Sequence, residues 1–393
     1  MEVEFPVPHD PEALDALLAA LPNAPAVFLL WPKPQPGGTA PKPGLFRTNV
    51  LRRRVSRLLS GAFRDSAGRL EYRLTGSRLE AQFALLAAAR RHFGSARREY
   101  IRIRFPHYVR LAFTNPFPRT RLVRKPGRSD SGVTVGPFRS RSTAAAFEAA
   151  CLDLFQLRRC AENLMPRPDH PGCIYGDMNR CLRPCQQAVG PEEYGAEADR
   201  VALFLRTSGQ SLLDTALAAR ERLSENLDFE GAAFAHQRVV RIEAAAAQRD
   251  EMARPLDRLN AVAVLPSAAR ASVTLGWLRS GTWQGFTNLD FDAAPADTDN
   301  PRTASLDMRL RETAAALPRH SVEPVERLEQ LAVLARWFYS SWRDGELLLF
   351  DDWDKPPYRK IVNAVSRVAR AAAKPTSPPD APRASGTAES TTG

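Results

Sequence analysis

The sequence predicts an α+β multidomain protein, and three observations predict it. Along its 393 residues, apolar positions recur at helical spacing in some segments and at every second residue in others. Four cysteines crowd a Gly- and Pro-containing stretch between residues 160 and 185. Beyond them come two long helical patterns, after which the period returns to two. A chain of this length has room for several separate cores.

Taken in order, residues 11–20 predict a helix opened by Pro11, and the apolar run 26–31 predicts a strand. The Pro/Gly-rich stretch 32–43 predicts an extended loop. Residues 52–59 predict a basic helix and 78–92 an Ala-rich one. Alternation at 100–104, 108–113 and 121–125 predicts strands, and 142–157 predicts a helix leading into the cysteines. Helices are expected over 191–206 and 211–249. The second carries Leu212, Leu213, Leu217, Leu223, Leu227 and Val239 as an apolar stripe. A break at Asn226-Leu227-Asp228 turns that stripe into a helical hairpin. Strands at 261–265, 271–279 and 282–291 predict an antiparallel meander. Helices at 304–317, 325–342 and 358–373 surround one more strand at 346–350. From Lys374 the composition predicts a disordered tail. The domains expected are therefore residues 1–105, a cysteine-cluster region at 106–190, the helical hairpin at 191–250, a C-terminal α+β domain with an antiparallel sheet at 251–373, and the tail at 374–393.

A net charge of +11 favours a polyanionic partner, nucleic acid above all. No apolar run approaches the roughly 20 residues needed to span a bilayer, so no membrane partner is expected. The acidic start Met1-Glu2-Val3-Glu4 lacks a signal-peptide pattern. A cytoplasmic location is expected, where clustered cysteines hold metal more often than they form disulfides.

Cys160, Cys173, Cys181 and Cys185 are the candidate metal ligands, separated by twelve, seven and three residues. Thiolates serve both tetrahedral zinc and iron–sulfur clusters. Only Cys181 and Cys185 form the close pair usual in zinc sites, and the looser spacing suits a cubane. Arg158, Arg159, Arg180 and Arg183 flank the ligands and would offset the charge of a thiolate-bound cluster. Cys151, among Phe147, Leu154 and Phe155, is expected in the core. The aromatics Trp337, Tyr339, Trp342 and Trp353 are expected there too, and the acidic run 351–354 in a solvated turn.

The segments Pro118-Arg119, Val135-Gly136-Pro137-Phe138, Leu157-Arg158-Arg159-Cys160 and Arg180-Cys181-Leu182-Arg183-Pro184-Cys185 resemble the UvrC family of excision-repair nucleases. So does Asn226-Leu227-Asp228-Phe229-Glu230-Gly231-Ala232-Ala233, which looks like the UVR hairpin that docks UvrB. The resemblance covers about residues 20–350. It implies a [4Fe–4S] cluster on the four cysteines, with zinc as the alternative, and partners in DNA and UvrB. Phe229, Glu230, Ala232, Ala233 and Val239 would form the partner face, although His236-Gln237 stand where the family has Arg-Asp.

The resemblance further implies a small α/β nuclease domain of the GIY-YIG type at the N-terminus, and the residues depart from that pattern. Phe28 stands where the family has a tyrosine, Gly44 where it has another, and Leu85 where it has the metal-binding carboxylate. Arg54 alone matches, at the catalytic arginine. Without the carboxylate and the phenol, Mg²⁺-dependent phosphodiester cleavage should fall by roughly 10⁴-fold or more. The domain is therefore expected to be catalytically degenerate while keeping a DNA-binding set of Arg47, Arg52, Arg53, Arg54 and Arg57. The alternative is a divergent endonuclease holding Mg²⁺ through Glu80 or Glu71. The RNase H-like nuclease and the helix-hairpin-helix clamp implied after residue 350 are expected to be missing, since one helix and the tail follow.

Overall fold

In the computed structural model the described residues are 1–34, 42–126, 132–291, 306–318 and 320–373. Among them the strands assemble into three four-stranded antiparallel sheets. The tail from Lys374 lies outside the described residues, as does most of the expected loop at 32–43.

The N-terminal unit runs β1 (Val3–Pro6), α1 (Pro11–Ala20), β2 (Ala26–Pro32), β3 (Gly44–Thr48), α2 (Leu51–Leu59), β4 (Ala67–Leu74) and α3 (Arg78–Phe93), ending in the short α4 (Arg97–Tyr100). Its sheet has the order β1-β4-β2-β3. Residues 26–30 of β2 are all buried, which is why this strand reads as a continuous apolar run. Ala26, Phe28 and Leu30 share a core with Leu51, Val55 and Leu59 of α2. The expected strand at 100–104 is a correction: α4 ends at Tyr100, and residues 101–106 carry no strand pairing. Ile101 and Ile103 do pack on a core, so the alternation reports one-sided burial of an extended segment without a ladder partner.

The middle unit runs β5 (His107–Ala112), β6 (Arg119–Val123), β7 (Gly132–Phe138), α5 (Arg141–Leu152), the short α6 (Ile174–Asp177), α7 (Pro191–Thr207), α8 (Gln210–Glu225), α9 (Phe229–Ala247) and β8 (Arg254–Pro255). Its sheet has the order β6-β5-β7-β8, so the chain returns after the hairpin to close the sheet it left. Gly136 lies against Tyr108; a Cβ there would meet the ring at 2.4 Å. Helix α5 stops at Leu152, five residues short of the expected end, because Phe155 and Leu157 turn back into the core. The hairpin is present: Leu227 takes a left-handed conformation, and Asp228 caps α9 through the Gly231 N–H at 2.9 Å. Cys151 is buried as expected.

The C-terminal unit runs β9 (Asn260–Pro266), β10 (Ser272–Arg279), β11 (Thr282–Asp290), α10 (Leu306–Ala316), α11 (Pro324–Phe338), β12 (Glu346–Phe350) and α12 (Tyr358–Ala373), with sheet order β11-β10-β9-β12. Period two does what it should here. Ala261, Ala263 and Leu265 face one core, while Val262 and Val264 face another with Ile361 and Val365 of α12. The first of these cores is completed by α3: Leu79, Phe83 and Leu86 join Leu331, Leu334 and Trp337, and Phe83 stacks on Trp283 at 4.4 Å. Trp337, Tyr339 and Trp342 serve this core and Trp353 the other, as expected.

This seam is fastened by charge as well. Glu329, with 0% of its side chain exposed, accepts from Arg90 at 2.7 Å and from Arg97 at 2.7 Å, and Glu326 accepts from Arg90 at 2.8 Å. Removing one member of such a buried pair strands its partner at about 3–5 kcal/mol. Gly76 permits the contact, since a Cβ there would lie 2.2 Å from the Ser267 carbonyl carbon.

Candidate cysteine cluster and nucleic-acid surface

After α5, Asp153 accepts from Arg159 at 2.7 Å and from Arg180 at 3.0 Å, tying the first cysteine's neighbourhood to the third's. Arg158 is buried. Its backbone N–H donates to Tyr194 Oη at 2.9 Å and its Nε to the Phe117 carbonyl at 2.9 Å. Its Nη1 reaches the Glu162 carbonyl at 3.1 Å and Cys160 Sγ at 3.4 Å. Tyr194 Oη in turn donates to the Pro118 carbonyl at 2.9 Å. One arginine and one tyrosine thus join β6, the cysteine loop and α7. The Gln156 N–H, bonded to Glu197 at 2.7 Å, adds a second tie to α7.

Cys181 and Cys185 are buried, Cys160 is half-buried and Cys173 is exposed; none is in a disulfide. Burial pushes the Cys181 thiol up, and the neighbouring thiols of Cys173, Cys160 and Cys185 push it further. The Cys185 thiol is raised by burial and by Cys173 and Cys160. Among the described residues no three His, Cys, Asp or Glu side chains are grouped so as to hold one metal ion. Four thiolates are a donor set that suits either a zinc ion or an iron–sulfur cluster.

The N-terminal positions that the resemblance picks out are filled. Phe28 is fully buried and stacks on Phe46 at 5.1 Å, and Phe46 meets Phe63 edge-on at 5.9 Å. Gly44 leaves room for that stack, because a Cβ would meet the Phe46 ring at 2.6 Å. The Arg54 guanidinium lies over the Phe46 ring at 5.9 Å. Leu85 is half-buried on α3. Glu80, itself buried, accepts the Gly76 N–H at 2.9 Å and pairs with Arg73 at 3.4 Å. Burial raises its carboxyl pKa against those two bonds. Glu71 pairs with Arg69 at 2.9 Å. Arg54 forms no ion pair among the described residues, so neither carboxylate is paired with it.

The five candidate arginines separate by role. Arg52 donates to the Leu21 carbonyl at 2.9 Å and the Ala19 carbonyl at 2.8 Å, closing the C-terminus of α1. Arg47, Arg53 and Arg57 are exposed. The hairpin separates as well. Val239 is buried in the middle core with Ile242 and Ala245, so its place is at the docked root and not on a free face. Phe229 is 71% exposed, Glu230 and Ala233 are exposed, and Ala232 is half-buried. Leu227 and Phe234, 72% and 64% exposed, extend this apolar tip. Sequence reasoning placed Leu227 in the packed stripe and passed over Phe234, which stands five residues after Phe229. It also passed over Tyr194.

Residues 107–204 match the family described as UvrC/Cho excinuclease, middle domain. The chain is 35% identical over 134 residues to the UvrABC system protein C of Nitratidesulfovibrio vulgaris, covering 34% of this chain and 19% of that protein. It is 27% identical over 232 residues to the UvrABC system protein C of Desulforudis audaxviator, covering 58% of this chain and 37% of that one. With the counterpart in Desulfatibacillum aliphaticivorans the identity is 24% over 234 residues, covering 60% and 38%. The chain thus spans well under half the length of these curated relatives. No solved structure matches it. Among the described residues no helix is long and apolar enough to cross a membrane.

Proposed function

Because residues 107–204 match the UvrC/Cho excinuclease middle domain, we propose that the chain is a UvrC-like DNA-binding protein of nucleotide-excision repair whose N-terminal unit does not cut. One observation carries this. The positions that would bear the phenol and the metal carboxylate are Phe28, sealed in an aromatic stack, and Leu85, while Glu71 and Glu80 are engaged by Arg69, Arg73 and a backbone N–H. A two-charge metal ion beside a scissile phosphate needs anionic ligands free to face it. Exposed Arg53 and Arg57, with Arg54 beside them on α2, leave phosphate contact as the chemistry of that face.

Cys160, Cys173, Cys181 and Cys185 hold a [4Fe–4S] cluster in this proposal. When bound, the cluster supplies a cross-link through thiolate–iron bonds that fixes the loop beside α7. Arg158 orients Cys160, and Asp153 holds Arg159 and Arg180 near the cluster's charge. The exposed tip of the α8–α9 hairpin offers Leu227, Phe229 and Phe234 to a partner helix pair, and UvrB is the partner proposed. Cytoplasmic residence follows from this role.

The test is an incision assay on damaged duplex with UvrA, UvrB and Mg²⁺, run beside a DNA-binding titration. The expected result is salt-dependent binding and no cutting attributable to this chain. Mg²⁺-dependent cutting that disappears in Arg54→Ala overturns the proposal and favours an endonuclease using Glu80 or Glu71.

A further inference from the structure

An open cleft of about 470 Å³ lies on the seam between the N-terminal and C-terminal units. Three guanidinium-bearing residues from three elements line it: Arg47 of β3, Arg78 in the first turn of α3 and Arg336 of α11. None of the three is in an ion pair among the described residues, and all three are exposed. Asp344 is the one carboxylate residue in the lining, and it is spoken for: the Arg78 backbone N–H donates to it at 2.6 Å and the Trp337 indole at 2.8 Å. Arg78 also lies 5.6 Å over the ring of Trp342, which lines the cleft. The 16-residue helix α3 begins here and adds the positive end of its dipole.

A second observation is independent of charge. Thr75 lines the same cleft with 1% of its surface exposed, and its Oγ1 has no hydrogen-bond partner. A buried hydroxyl without a partner costs about 1–3 kcal/mol, and most buried polar atoms avoid that cost. Among the described residues nothing satisfies this hydroxyl, and it belongs to the lining of a cleft that carries three arginines.

We infer that this cleft is a phosphate-binding site built across the seam, taking a backbone phosphate of a nucleic-acid strand. The inference rests on the DNA-binding proposal and deepens it by naming a site to which the C-terminal unit contributes Arg336 and Trp342. It also gives the buried seam a purpose: neither unit alone carries all three guanidinium groups.

The test uses the full chain, a fluorescein-labelled oligonucleotide read by anisotropy across a salt series, and inorganic phosphate read by thermal shift. Arg336→Gln should weaken DNA binding about tenfold and make the salt slope shallower by about one. Thr75→Val removes the hydroxyl without changing charge or shape. It should weaken DNA binding about threefold while leaving the melting temperature equal or higher, because the hydroxyl has no partner within the chain. If both variants bind DNA like the parent at every salt concentration, the site is overturned and the DNA-binding proposal stands. If the parent chain does not bind DNA but inorganic phosphate stabilises it, and both variants lose that effect, the site is supported as one for free phosphate. Absence of both responses in the parent overturns site and proposal together.

Discussion

The cysteine loop and the N-terminal sheet are built on opposite plans. In the loop, polar groups organise the structure: the Arg158 guanidinium and the Tyr194 hydroxyl collect carbonyls from three segments, and apolar burial is confined to a few residues such as Leu157, Cys181 and Cys185. In the sheet, the positions of expected polar chemistry hold Phe28 and Phe46 in a stack that closes over itself. A segment with little core depends on cross-links and hydrogen bonds, whereas one filled with aromatics is stable without them. The difference predicts that the cysteine loop is the more sensitive of the two to loss of a polar or thiol group.

The largest test of this contrast is Cys181→Ser. Bound iron and broad visible absorption should disappear together in the variant, and tryptic cleavage between residues 160 and 180 should accelerate roughly tenfold or more, about 1.4 kcal/mol of local stability. A parent protein that is colourless and carries one equivalent of zinc would replace the cluster with a zinc site.

A pair of hydroxyl exchanges sharpens the contrast next. Tyr194→Phe leaves the Arg158 N–H and the Pro118 carbonyl without their partner, a loss of about 2–6 kcal/mol at roughly 1–3 kcal/mol for each unsatisfied group. Phe28→Tyr, which adds the phenol that the resemblance implies, should instead destabilise by about 1–3 kcal/mol, because its hydroxyl enters a fully buried stack. It should restore no cutting. Chemical denaturation of both variants measures the two costs, and a neutral or stabilising Phe28→Tyr would break the contrast.

The smallest effect on stability belongs to Phe234→Ser at the hairpin tip. Its exposed ring should contribute within about 0.5 kcal/mol to folding. UvrB binding, measured by calorimetry, should weaken about tenfold or more, as loss of an exposed aromatic anchor does. Unchanged affinity would assign the apolar tip to another partner.

Several features were legible before any coordinates. The break at Asn226-Leu227-Asp228 marked the hairpin because a helix cannot run through a left-handed residue followed by a capping aspartate. The meander from residue 260 was legible as short segments of strand length, of which β9 and β10 are buried on both faces. Strand β4 was missed although Leu70, Tyr72 and Leu74 alternate with Arg69, Glu71 and Arg73, the pattern of a strand with one buried face. The strand expected at 100–104 failed because its alternation has no neighbouring ladder. At the candidate sites, the four clustered cysteines could be read directly. The capping use of Arg52 and the burial of Val239 could not, since both depend on which element lies opposite.

By itself the sequence determined the chemical inventory: four clustered thiols, a surplus of arginine, and apolar side chains at Phe28 and Leu85. Residue type sets those properties wherever the chain goes. Only the tertiary structure decided which arginines are free, which hairpin residues face outward, and that α3 joins the core of the C-terminal unit. Those outcomes turn on contacts between residues far apart in sequence, such as Arg90 with Glu329 and Gly76 with Ser267, and a local pattern holds no record of its distant partner.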